Sequence, residues 1–241
     1  MSVASTHDAH HPPPEPWWPH HPEWQRVVSE VNRLGLETGY EHAATLSGRG
    51  QRVGPISSGE RHTVVVADEA RTWLTRPGAE LAICHNHPAH PGEVPNELSP
   101  SDFVLLGCAG VRSIHMVSSY EPDGYSIARR VVDVDAATWQ AAVRLARDIA
   151  WSLTTSDETC AYHVAHGLEH LDHQRVLVRL LDRVGLVDWT SRFDGATADL
   201  ERQHGAFFDG LAERGADEFV RRLEAASVSL PTSVSAVLSI A

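Results

Sequence analysis

The chain has 241 residues, 42% of them hydrophobic and 22% charged, enough apolar side chains for a globular core along most of its length. Asp and Glu number 32 against 20 Lys and Arg, a net charge of −12. That balance argues against a nucleic-acid partner, whose phosphates call for surplus cations, and against docking on an anionic membrane.

Three cysteines, Cys84, Cys108 and Cys160, show no C-x-x-C spacing and no even-numbered framework, which fits a reducing compartment. The first residues carry neither a basic segment nor an apolar one, and no apolar run reaches the about 20 residues that span a bilayer. The expectation is a cytoplasmic protein without a membrane partner.

In chain order, residues 1–22 are rich in His and Pro and read as a disordered leader, because consecutive prolines forbid helix and favour solvated, extended chain. Glu23 to Leu36 then carries Trp24, Val27, Val28, Val31 and Leu34 at helical spacing. Strand-like runs follow at 41–46, at His62 to Val66, at Glu80 to Cys84, and at 113–118 and 124–129 around the turn sequence Glu121-Pro122-Asp123-Gly124. Asp68 to Leu74 and Pro100 to Ala109 read as helices between them. This mixture predicts an α/β (α+β) sandwich over residues 23–133. From Asp135 the pattern turns helical, at 136–153, 157–184 and 196–226, which predicts an additional all-helical C-terminal region over 134–241.

The chemistry concentrates in Leu81-Ala-Ile-Cys-His85-Asn-His87-Pro88. With a strand period of two, His85 and His87 share one face, while Cys84 and Asn86 share the other. Two imidazoles so placed reach one ion at about 2.0–2.1 Å, and parity excludes Cys84. Further on, Leu98-Ser99-Pro100-Ser101-Asp102 reads as a helix start, with Ser99 as N-cap, Pro100 at N1 and Asp102 closing a capping box. A carboxylate in a first helical turn can serve its cap and face an ion as well. His90 is a rival ligand that no periodicity ties to the pair.

His85-x-His87-Pro88 followed by Ser99-x-x-Asp102 resembles the JAMM signature of the JAB/MPN zinc metalloproteases, and the likeness covers roughly residues 25–132. The resemblance implies a JAB/MPN-type sandwich with Zn2+ held by His85, His87 and Asp102. It also implies that Ser99 stabilises the tetrahedral intermediate and that an upstream glutamate acts as general base. Glu41, in Tyr40-Glu41-His42-Ala43, matches the place of that base, with Glu37 as its rival. The implied function is hydrolysis of an isopeptide or C-terminal peptide bond, with a protein or peptide substrate such as a ubiquitin-like protein. The alternative is a JAB-fold binding or assembly module with a vestigial or non-peptidase site. Pro88 through Ser101 make the ligand spacing four residues longer than that family's usual one. Loop length costs little in stability, so this alters the cleft's shape rather than the ligand set.

His163, His166, His170 and His173 fall on one face if 157–184 is a single helix. Such a face is either a solvated surface or a site of metal binding or of pH-sensitive self-association through the helical region.

Overall fold

Helix α1 (Pro22–Thr38) starts at a proline, whose missing N–H is no loss in a first helical turn. Nδ1 of His21 accepts from the Glu23 N–H at 3.2 Å, so the helix begins inside what the sequence assigned to the leader. The structure, a computed structural model, describes residues 21–88, 94, 97–118, 124–168 and 172–225. Most of the His/Pro-rich leader and His90 lie outside them. At the other end of α1, Gly39 takes φ 71° and its N–H closes on the Gly35 carbonyl at 2.8 Å, turning the chain into a sheet.

The remaining elements are β1 (His42–Leu46), β2 (Ser57–Ser58), α2 (Asp68–Leu74), β3 (Leu81–His87), α3 (Pro100–Leu106), β4 (Val111–Ser118) and β5 (Tyr125–Arg130). After them come α4 (Ala136–Thr154), α5 (Asp157–His166), α6 (Asp172–Arg183), β6 (Val187–Arg192) and α7 (Gly195–Ala225). The strands form one mixed sheet in the order β2-β1-β3-β4-β5-β6, in which only β3 and β4 run parallel, joined through α3.

Every residue of β3 is buried, as expected of a central strand covered on both faces. One face carries Ala82 and Cys84, which pack with Ala44, Val117 and Ile127 beneath Trp24, Val27, Val28 and Val31 of α1. The other carries Ile83, with Ile114, Met116 and Ala128, beneath Phe103, Leu106, Trp139, Val143 and Leu177 of the helical layer. His85 and His87 continue the Ile83 side.

The C-terminal region departs from the sequence reading in two ways. It is not all-helical: β6 pairs with β5 from Arg130↔Val187 to Tyr125↔Arg192 and completes the sheet. Its alternating burial, with Val187 inward and Asp188 outward, suits an edge strand. The single helix expected over 157–184 is also two helices. Gly167 adopts φ 65° and its N–H caps the His163 carbonyl, ending α5. The expected boundary at 133/134 falls between β5 and α4, and one buried cluster runs across it from Ile83 and Phe103 to Leu180 and Phe219. The strand expected at His62 to Val66 is irregular chain with one isolated bridge, Glu60↔Thr63, and the Val65 carbonyl accepts from the Ser57 hydroxyl of β2 in place of a backbone ladder.

A buried ionic chain ties these parts together. Arg175, 2% exposed, donates to Glu201 at 2.8 Å and stands 3.9 Å from the carboxylate of Glu97, in the segment ahead of α3. Arg179 also meets Glu201, and it donates to Asp209 at 3.1 Å. Glu97 accepts from the Ser126 hydroxyl at 2.6 Å, and that hydroxyl accepts from the Trp189 indole at 2.9 Å. Removing one member strands a buried charge. Arg175→Ala should therefore lower stability by about 3–5 kcal/mol, read from denaturant midpoints, whereas changing the exposed Arg202 should leave them within about 0.5 kcal/mol.

On the α1 face, the Trp24 indole donates to His115 Nδ1 at 2.8 Å, so Nε2 carries the proton and donates to Ser113 Oγ at 2.8 Å. That neutral tautomer uses both ring nitrogens. Burial, with a smaller contribution from His85, pushes the pKa down to about 3. The unfolded chain then binds the proton first on acidification, so stability held above the ordinary value of 6.5 is lost as pH falls towards 3. Between pH 7 and pH 5 this histidine alone costs about 2 kcal/mol, so the change in urea unfolding free energy over that interval should differ by about that amount between the wild type and His115→Gln.

Candidate metal centre

Strand β3 delivers His85 and His87 at its carboxyl end, where ligands of open α/β sheets collect. Their Nε2 atoms lie 3.0 Å apart, and His85 Nε2 is 3.4 Å from Oδ1 of Asp102. One ligand atom from each of the three residues falls within 4.8 Å of the others, and no second group of this kind occurs among the described residues. Burial, offset in part by Asp102, pushes the His85 pKa down to about 4, which keeps a nitrogen lone pair available at neutral pH. The group could hold a metal ion.

Asp102 uses its two oxygens differently. Oδ2 closes the capping box, accepting from the Ser99 N–H at 2.7 Å and the Ser99 hydroxyl at 2.8 Å. Oδ1 is the atom turned to His85. The cap fixes the carboxylate's orientation, so the two readings of Asp102 coexist.

Glu41 enters from the strand beside. Antiparallel pairing sets Ala43 opposite His85, and continuing that register by two residues sets Glu41 opposite His87. Asn86, on the reverse parity of β3, accepts from the His42 N–H at 2.7 Å and donates to the Tyr40 carbonyl at 3.1 Å. On the other side Glu41 exchanges backbone bonds with Glu60 and Gly59, so its carboxylate stands on a backbone clamped from both flanks. Burial, and then the charge of Asp102, raises its pKa to about 8. A cation held by the three ligands would act the other way and favour the carboxylate. Glu37, the positional rival, is exposed on α1 and paired with Arg33.

Together Glu41, His85, His87, Ser99 and Asp102 line a cleft of about 260 Å³. Its walls include residues that sequence reasoning passed over: His62, Thr63 and Val64 from the irregular segment, Ser101, and Gln174 from α6. Cys84 faces α1, and burial pushes its thiol up to about 12.

The other histidines do not converge as one helix face. His163 is buried in α5 and approaches Phe207 of α7. His166 packs against Tyr162 and edge-on to His204, whereas His173 lies against Trp151 of α4. His170 lies outside the described residues. The break at Gly167 is the reason: it separates the side chains that a continuous helix would have aligned.

Comparison with protein-family models, with curated proteins and with solved structures finds no match. No helix among the described residues is long and apolar enough to cross a membrane.

After dialysis against zinc, the protein should retain about one ion per chain by elemental analysis. Asp102→Asn keeps an acceptor for the cap but loses the charge, so it should bind far less, as should His85→Ala. Unchanged zinc in both variants would remove the site from these residues.

Proposed function

We propose that this protein is a zinc-dependent metallopeptidase that hydrolyses an isopeptide or C-terminal peptide bond of a ubiquitin-like or other protein substrate. The observation that carries the reading is the placement of Glu41 in the same cleft as His85, His87 and Asp102. Three protein ligands leave a coordination position open, which distinguishes a catalytic zinc site from a closed structural one. Nitrogen and carboxylate ligands suit zinc, and the resemblance of His85-x-His87-Pro88 and Ser99-x-x-Asp102 to the JAMM signature points the same way.

When bound, zinc supplies a Lewis acid that acidifies water and polarises a carbonyl. The chain's own residues do the rest. The Glu41 carboxylate takes the proton of the attacking water and returns it to the leaving amine, as a general base and then a general acid. Its largely buried position keeps competing solvent away from that proton. The Ser99 hydroxyl, turning from Asp102, donates a hydrogen bond where negative charge develops on the carbonyl oxygen.

The test uses the zinc-loaded protein and a ubiquitin-like protein extended beyond its C-terminal glycine by a peptide, with cleavage read by mass spectrometry. Glu41→Gln should retain zinc and lose at least about 100-fold in rate, because a carboxamide cannot accept the proton. Full activity in that variant would move the base elsewhere. Absence of cleavage by the zinc-loaded wild type across such substrates would count for the binding-module alternative.

A further inference from the structure

Gln174 lines the metal cleft although it belongs to the helical C-terminal region, in the first turn of α6. Its Oε1 is closed off from solvent and meets no hydrogen-bond partner among the described residues. A buried carboxamide oxygen without a donor carries an uncompensated desolvation cost, which native structures tolerate chiefly where a ligand or function requires it. The terminal torsion of glutamine is broad, so the oxygen and the NH2 group exchange places readily.

The backbone beneath this side chain is held firmly. Arg175, the next residue, sits in the buried ionic chain with Glu201 and Glu97, and Arg179 donates back to the Arg175 carbonyl at 3.1 Å. Glu97 stands two residues before Ser99 in the segment that leads to Asp102. The same ions therefore fix both the wall that carries Ser99 and the wall that carries Gln174. Besides the metal group, Glu41, His62 and the apolar Val64 and Pro88, the lining side chains Thr63, Ser99, Ser101 and Gln174 are polar but uncharged. Such a surface complements a main-chain amide, which offers one donor and one acceptor, better than it complements a charged side chain.

We propose that Gln174 is a substrate-binding residue of this cleft, its carboxamide pairing with a main-chain amide of an extended peptide beside the scissile bond. This rests on the metallopeptidase reading and adds to it that the C-terminal region supplies part of the peptide's binding surface.

Two hydroxamates separate the claims in calorimetric titrations of the zinc-loaded full chain. Acetohydroxamate probes the metal alone, whereas the hydroxamate of an N-acetylated dipeptide adds peptide groups. The wild type should bind the dipeptide compound more tightly. Gln174→Ala should weaken that compound by about 5- to 10-fold, the size of one neutral hydrogen bond, and leave acetohydroxamate, zinc content and melting temperature unchanged. Gln174→Met, which keeps the length but removes the carboxamide, should weaken it as well and decides the matter if the alanine variant folds poorly. Equal loss for both compounds would mean damage to the metal centre and overturn the proposal. So would an unchanged dipeptide affinity, which leaves the metallopeptidase reading standing. A wild type that gains nothing from the peptide groups overturns the inference about peptide recognition, and a zinc-loaded wild type that binds neither compound overturns both readings.

Discussion

The carboxylate of Glu97 is closed off from water between β5 and α6, with Ser126 donating to one oxygen and the Arg175 guanidinium 3.9 Å from the other. A buried carboxylate without a cation nearby would cost several kcal/mol, so the segment that holds it cannot leave without Arg175 losing its neighbour too. Glu201 answers Arg175 and Arg179 together, which extends the constraint from the loop ahead of α3 through α6 to α7. Ser126 carries it into the sheet, and Trp189 carries it on to β6. Much of the cleft's geometry follows from this one chain of charges. It ties the segment that leads into α3 to α6, the helix that carries Gln174.

Within that frame the site is made from local rules that reinforce each other. Alternation along β3 sends His85 and His87 to one face and Asn86 to the other, where it clamps the backbone on either side of Glu41. The capping box at α3 occupies one oxygen of Asp102 and leaves the other towards His85. Helix initiation and ligand placement are thus one arrangement. A substitution that spoils the cap also misdirects the ligand.

These local rules are also what the sequence made legible. The helix at 23–36, the strand ending in His85 and His87, α2, and the start of α3 all follow from periodicity and cap chemistry within a few residues. The parts that were not legible depend on partners far along the chain. His62 to Val66 has the β-branched composition of a strand, but the backbone ladder beside it stops at the Glu60↔Thr63 bridge, and it becomes a wall of the cleft. Val187 to Arg192 alternates well enough for a strand, yet it is short and flanked by long helices; only the open edge of β5 decides it. Gly167 takes a left-handed conformation that ends α5. The helical pattern of 157–184 reads as continuous across it, and only the left-handed cap divides it into two helices. For Glu97 and Gln174 no local pattern exists, because what defines each is a contact with the other half of the chain.

The long spacing between His87 and Asp102 ends on the same ionic chain. A longer loop costs little in closure entropy, but left loose it would let α3 and its carboxylate wander relative to β3. Glu97 lies near the end of that loop and is anchored by side chains of β5 and α6. The contacts of Glu97 with Ser126 and Arg175 therefore hold the entry to α3, and with it the Asp102 carboxylate, in place relative to β3. The metal-site half of the sequence and the helical half are coupled in this way: replacing Glu97 would take an anionic neighbour from Arg175, which keeps Glu201, and would free the segment ahead of α3 from α6.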